Sequence, residues 1–279
     1  MKKNTDVMGS SDKGQDFSLH LRLRILEILA NSGRGHLGPA LSIVDIIDAL
    51  YESVLRFNPK DPNWEFRDRF VLSKGHGCLG LYVVLEKHGF FHREKLDDFC
   101  SFNSWFGGHP ESATNPGVEF STGSLGHGLS FGVGLSMAAR IKGQRWRTFV
   151  LLGDGELNEG SVWEAAAHAS KHQLSNLCLI IDYNKMQASG LSQEVLDLGS
   201  LERKFDAFGF KVIELDGHKK TDLVSNLDFD PFQENKPIVV IAHTTKGKGI
   251  PLAENSNHWH HKAKISLEEI SDLKSSISK

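Results

Sequence analysis

Apolar residues recur at helical spacing from Phe17 to Asn31, and Gly33 closes the run. Leu41 to Leu55 carries a second amphipathic helical pattern, entered from Pro39, with Ser42 as its candidate cap. Five short apolar runs predict buried strands: Arg69 to Leu72, Phe149 to Leu152, Leu177 to Ile181, Phe210 to Leu215 and Pro237 to His243. Helical patterns fall between them, over Gly77 to His88, Arg93 to Phe102, Gly126 to Lys142, Glu159 to His172, Leu201 to Phe208 and Thr221 to Leu227. A charged helix is predicted over Ile265 to Ile277, and the Gly- and Pro-rich stretch 107–123 reads as an ordered loop. Repeated alternation of strand and helix predicts an α/β fold, a mostly parallel sheet with helices on both faces. No repeat, low-complexity segment or linker divides the chain. The expectation is one domain over residues 17–279, preceded by a flexible polar arm at 1–16.

The segment from Phe149 to Ile181 is a strand–helix–strand crossover, which returns its second strand parallel to the first. Asp154 in Gly153-Asp154-Gly155-Glu156 follows the first strand, and Asn184 in Asp182-Tyr183-Asn184-Lys185-Met186 follows the second. Neighbouring strands place these two ends roughly 4.8 Å apart. There a carboxylate and an amide oxygen can share one small hard cation, with distances of about 2.1 Å for magnesium. The carboxyl edge of an α/β sheet is also the usual ligand crevice. Each residue alone is ordinary turn chemistry. Their equivalent positions at successive strand ends point instead to a magnesium that holds a diphosphate.

Four motifs surround this unit: Gly35-His36-Leu37-Gly38, Ser73-Lys74-Gly75-His76-Gly77, Gly107-Gly108-His109-Pro110-Glu111 and Thr122-Gly123-Ser124-Leu125-Gly126-His127-Gly128. They set histidine beside glycine in loops next to predicted elements. Glycine lets backbone approach a ligand, and imidazole donates or accepts at neutral pH, which suits hydroxyls and carbonyls. Thr245-Lys246-Gly247-Lys248-Gly249 lacks the Gly-Lys-Ser/Thr ending of a phosphate loop and reads as a turn with flexible lysines, with contact of one lysine to phosphate as the alternative.

The chain has 279 residues, enough for a sizeable core. Its formal net charge of −3 argues against a nucleic-acid partner. No apolar run reaches the length of a membrane span, and the polar start lacks a signal sequence. Cys78, Cys100 and Cys178 have no metal-ligand spacing and read as reduced core or near-core residues of a cytoplasmic protein.

Taken in order, these motifs resemble the diphosphate-binding part of transketolase, a thiamine diphosphate enzyme, from about Leu19 to Lys262. The resemblance implies the thiamine diphosphate-binding (PP-type) fold. It implies that Asp154, Asn184 and the backbone carbonyl of Met186 bind the metal, Mg2+ with Ca2+ or Mn2+ as alternatives. Gly155 would bring its amide to the diphosphate at the start of the following helix, and Gly123 and Leu125 would line the thiamine. Glu159 matches a glutamate that links paired cofactor sites. His36 and His76 match histidines near the diphosphate and the reacting carbons, and His109 matches one that contacts the donor's terminal hydroxyl. His260 matches a late active-site histidine, with His258 and His261 as competitors for that role.

In that family a glutamate on a second, pyrimidine-binding domain activates the cofactor, and the sequence contains no second set of strands to supply one. The resemblance therefore implies an N-terminal subunit of a split transketolase, moving a two-carbon ketol unit from a ketose phosphate to an aldose. A separate C-terminal subunit would complete it, in an α2β2 heterotetramer. Two alternatives remain at this point. One is a 1-deoxyxylulose-5-phosphate-synthase-like or 2-oxo-acid-decarboxylating subunit, which His109 and the Thr-Gly-Ser-Leu-Gly loop fit less well. The other is a non-catalytic cofactor-binding partner.

Overall fold

The computed structural model describes residues 17–231 and 235–277, so the expected arm at 1–16 lies outside the described residues. Its frame is a five-stranded parallel sheet of β1 (Arg69–Leu72), β2 (Thr148–Gly153), β3 (Leu177–Tyr183), β4 (Lys211–Asp216) and β5 (Ile238–His243), in the order β1-β2-β3-β5-β4. All five predicted strands are present, and β2 and β3 are neighbours in parallel register. Their residues are buried on both sides because successive side chains feed opposite faces. Phe149, Leu151, Cys178 and Ile180 join one apolar core, whereas Val150, Leu152, Leu179 and Ile181 join the other.

The first core is covered by α1 (Leu19–Ser32), α2 (Leu37–Ala49), α3 (Cys78–Lys87), α8 (Lys220–Leu227) and α9 (Leu267–Ile277). The second is covered by α4 (Gly128–Ile141), α5 (Gly160–Lys171) and α7 (Leu201–Ala207). The α4 helix packs very closely on the sheet, since a Cβ on Gly132 would stand 2.3 Å from Val150 Cγ2.

Helix α2 starts at Leu37, four residues before the predicted start, with His36 as the residue preceding its first turn. Pro39 is admitted because amides of a first turn need no helical partner. Ser42 is not a cap: its hydroxyl lies 2.8 Å from Asp182 Oδ2 in the interior. Every residue of α2 is buried, and its two carboxylates are also engaged. Asp45 meets Arg22 and His218, and Asp48 meets Lys87 at 2.6 Å and Ser18 at 3.4 Å.

The predicted helix over Arg93 to Phe102 is only a 3-10 turn at Arg93–Leu96. Cys100 adopts a left-handed φ of 61° and gives its amide to Phe106 at 2.9 Å, which stops any continuation. The short helix α6 (Ser192–Leu196) and a 3-10 turn at Gly155–Asn158 carry too few residues to leave a periodic signal. The three cysteines are free, with Cys78 and Cys178 buried and Cys100 half-buried. Among the described residues no helix is long and apolar enough to cross a membrane.

Candidate functional site

The parallel register pairs Gly153 with Asp182, so Asp154 and Asn184 leave adjoining strands at the same edge. The Asp154 amide still donates to the Asp182 carbonyl at 3.2 Å. The Asp154 carboxylate is 6% exposed. It accepts from the Gly155 amide at 2.8 Å and the Ser192 hydroxyl at 2.9 Å. Burial first, and then the charge of Asp182, push its pKa up to about 6.

Asn184 is fixed on both sides of its amide. Its Nδ2 donates to Asp182 at 2.8 Å, and its Oδ1 accepts from the Met186 amide at 3.0 Å. Those opposite roles settle which end is oxygen and leave Oδ1 a second lone pair. The Asp182 carboxylate, fully buried, is the hub of this corner. It accepts from Lys74 Nζ, Thr244 Oγ1 and Ser42 as well as Asn184. Burial raises its pKa, but the Lys74 charge and these donors more than offset that and hold it below the usual carboxylate range.

Gly155 opens the 3-10 turn, and α5 begins at Gly160, one residue after the predicted start at Glu159, so Gly155 lies on the intervening turn and not at the start of that helix. A Cβ on Gly155 would stand 2.9 Å from Gln187 Cγ, so glycine lets the Gln187 side chain pack against this backbone. Among the described residues the buried Gln187 Nε2 has no hydrogen-bond partner. The adjacent glutamates divide their roles. Glu159 is exposed at the start of α5 and makes no capping bond. Glu156 is buried, accepting from Ser73 Oγ, the Gly126 amide at 2.8 Å and the Gly153 amide at 3.3 Å. Burial lifts its pKa despite these donors. Glu156 thereby ties the loop 122–128 to the end of β2. Gly126 in that loop has a φ of 85°, and a Cβ there would lie 2.7 Å from Glu159 Cβ.

The histidines from separate motifs converge. The His36 ring centroid lies 5.8 Å from His76, 5.8 Å from His109, 6.0 Å from His260 and 4.5 Å from His261. His76 and His260 stack at 5.4 Å. Gly123 lies against the His109 ring, and Gly75 against Gly123, while Leu125 is half-buried. Burial, joined by neighbouring imidazoles and lysines, lowers the pKa of His36 to about 4 and of His260 to about 3. It also lowers His76 strongly, and His109. These four rings are therefore neutral at pH 7, able both to donate and to accept. Among the three late candidates, His260 and His261 both reach the cluster. His258 turns away, its side chain 63% exposed beside Lys262 and Glu269. The His127 ring is exposed at the start of α4.

Lys246 is not one of the flexible lysines expected of its turn: it is 1% exposed, which leaves the alternative of a phosphate contact open. Its ammonium reaches the Met186 carbonyl at 3.4 Å, the Gln187 carbonyl at 3.1 Å and Asn257 Oδ1 at 3.3 Å, all neutral oxygens. Burial, then the Lys74 charge, bring its pKa down to about 8. A cavity of about 440 Å3 opens beside Asp154, walled by Tyr183, Lys185, Gln187, Ser192 and Leu196. Sequence reasoning assigned no role to Asp182, Glu156 or Lys74, although each stands inside a quoted motif. His261 was named only as a competitor.

Comparison with known proteins identifies the family of the chain. The family model described as transketolase, thiamine diphosphate binding domain, matches residues 15–278. The chain is 43% identical over 240 residues to one subunit of the apulose-4-phosphate transketolase of Phocaeicola vulgatus, covering 86% of this chain and 85% of that protein. It is 37% identical over 241 residues to the 6-deoxy-6-sulfo-D-fructose transketolase subunit SqwG of Clostridium sp. (strain MSTE9), covering 86% and 88%. The solved structure of Pichia stipitis transketolase in complex with sedoheptulose 7-phosphate superposes with a TM-score of 0.86 at 34% identity, covering 93% of this chain and 40% of that one. With the sheet, the paired strand ends and the matched sequence in agreement, the chain belongs to the transketolase family and carries its thiamine diphosphate-binding domain.

Proposed function

We propose that this chain, as a single domain over 17–279, is the N-terminal subunit of a two-subunit transketolase. It would transfer a two-carbon ketol unit from a phosphorylated or sulfonated ketose to an aldose, using thiamine diphosphate and Mg2+, with Ca2+ or Mn2+ as substitutes. A separate subunit would bring the pyrimidine-binding domain, in an α2β2 assembly working in the cytoplasm. The observation that carries the reading is the paired strand ends: a buried carboxylate and an oriented amide oxygen beside a buried lysine whose hydrogen-bond partners, among the described residues, are neutral. Asp154 resists ionisation where it stands, and a cation relieves that cost. Lys246 is a buried positive charge suited to a phosphate oxygen. The two relatives named as subunits, of matching length, support the two-chain arrangement.

Asp154, Asn184 and the Met186 carbonyl would hold the metal, with Gly155, His76, Lys246 and Gln187 placed toward the diphosphate, and Gly123 and Leu125 toward the thiamine. Glu159, exposed at the start of α5, is free to face a paired subunit. Thiamine diphosphate, when bound, supplies the carbon nucleophile and the electron sink for breaking and making the C–C bond. The chain's own work is positioning and proton handling. Neutral His36, His76 and His260 can take a proton from a donor hydroxyl and return it to an acceptor oxygen without carrying a resting charge. His109 at the cluster's edge would read the donor's terminal hydroxyl.

The test is reconstitution. Ketol transfer is expected only when the chain, Mg2+ and thiamine diphosphate are mixed with a subunit bearing the pyrimidine domain. Turnover by the chain alone, or inertness with that companion, would overturn the reading. His109→Ala should lower kcat/KM for hydroxyketone donors by about 10–100-fold while changing pyruvate-type donors far less, because the lost bond belongs to a hydroxyl that pyruvate lacks. Equal losses on both donor types would remove His109 from that role.

A further inference from the structure

Outside the site lies a buried cluster with no part in the chemistry above: Arg22 on α1, Asp45 on α2 and His218 in the loop between β4 and α8. We propose that Asp45 is a positioning residue for the diphosphate site, acting through Arg22 and His218 on the turn 245–248 that presents Lys246. The inference rests on the reading of Lys246 as a phosphate contact.

Asp45 is 2% exposed and Arg22 fully buried. The guanidinium grips the carboxylate as a fork, Nη1 to Oδ1 at 2.9 Å and Nη2 to Oδ2 at 2.6 Å. Its remaining Nε donates to the Lys248 carbonyl at 2.8 Å. His218 Nδ1 stands 2.7 Å from Asp45 Oδ2, and its Nε2 accepts from the Thr245 amide at 2.8 Å. An acceptor nitrogen must carry a lone pair, so the proton sits on Nδ1 and points at Asp45. One carboxylate thus sets the tautomer of the histidine that holds Thr245 and the orientation of the arginine that holds Lys248.

Lys246 lies between those two grips. The turn has little other freedom: the Gly247 amide bonds the Gly38 carbonyl at 3.2 Å, and Thr244 Oγ1 bonds Asp182. If Asp45 loosens, the grips on Thr245 and Lys248 weaken, and the backbone from which Lys246 reaches the Met186 and Gln187 carbonyls keeps only part of its fixing, the Gly247 amide bond and the Asn255 amide bond to the Lys246 carbonyl at 2.8 Å. Asp45→Asn keeps the shape but offers one acceptor and one donor. Its NH2 meets an Arg22 donor at either position, Nη1 in place of Oδ1 or Nη2 in place of Oδ2, and in place of Oδ2 it also faces His218 Nδ1. In that second arrangement the ring proton is driven to Nε2, against the Thr245 amide.

The test uses the full chain, titrated calorimetrically with Mg2+ and inorganic pyrophosphate, together with amide hydrogen exchange. Asp45→Asn is expected to weaken Mg-pyrophosphate binding about 10–100-fold, as loss of supporting bonds behind a ligand commonly does. The Thr245 amide should exchange at least about 10-fold faster, while amides of β3 stay protected. Lys246→Ala should weaken binding, and the double variant should be no weaker than Lys246→Ala, because both changes remove the same contact. His218→Ala should behave like Asp45→Asn and serves if that variant fails to fold. If Lys246→Ala weakens binding but Asp45→Asn and His218→Ala do not, or if the losses add, the positioning role is overturned while the site reading stands. If Lys246→Ala leaves affinity unchanged, Lys246 is not a phosphate contact, and the proposal falls with that part of the reading.

Discussion

Asp154→Asn is expected to abolish Mg2+-dependent binding of thiamine diphosphate and, above pH 6, to make the metal-free protein more stable. The fold holds the Asp154 pKa at about 6, against an ordinary value of 3.8, because of burial and the nearby Asp182 charge. A raised carboxylate pKa means that the native state binds more protons than the unfolded chain between those values. Stability from this group is fully present below pH 3.8 and is lost as pH rises through 6. Up to about 3 kcal/mol is at stake at pH 8, at roughly 1.4 kcal/mol per pH unit. Asparagine removes the charge but still accepts from Gly155 and meets Ser192, so the variant should gain about 1–3 kcal/mol at pH 8 and almost nothing at pH 4. Urea midpoints at the two pH values read the first effect, and calorimetry with the cofactor reads the second. Unchanged cofactor affinity would refute the metal assignment. A stability difference that ignores pH would refute the electrostatic account.

Asp182→Ala should destabilise the fold by about 3–5 kcal/mol, because it strands the ammonium of Lys74 in the interior without its anion. Lys74 is 2% exposed, and among the described residues the other partners of its ammonium are the Pro39 carbonyl at 3.3 Å and Ser42 at 3.5 Å. The same change releases Asn184 Nδ2, so the amide can turn its nitrogen toward the metal position. Replacing both partners, Lys74→Met with Asp182→Leu, should recover most of the stability and none of the cofactor binding. Thermal unfolding and cofactor titration of the single and double variants separate the two effects. A stable Asp182→Ala protein with normal affinity would show that this hub supports neither the fold nor the site.

The sheet was legible because each strand is a short apolar run bounded by turn residues, and the crossover alone set Asp154 beside Asn184. The histidine motifs were legible as motifs, but not their meeting place, since His36, His76, His109 and His260 come from four different loops. Charged residues at buried positions were the least legible. Lys246 sits among glycines and another lysine, with nothing in the sequence to distinguish an ammonium drawn inward from one left in solvent. Glu156 and Glu159 lie three residues apart, and only the fold shows that the former is enclosed while the latter faces out. The Arg93 to Phe102 stretch had helical composition, and one left-handed residue, Cys100, decided otherwise.

Helix α2 has no solvent-facing side, yet it carries a hydroxyl and two carboxylates, each reaching a different layer of the protein. A one-residue slip would turn the helix by about 100° and detach all three at once. An ordinary greasy helix can slide or roll among nearly equal seatings; this one is keyed like a shaft in its socket. The imidazole at its leading end is consequently indexed to the elements around the helix by bonds made up to three turns away. Substitutions that enlarge or shrink its aliphatic residues should be forgiven more readily than the loss of any one of the three keys.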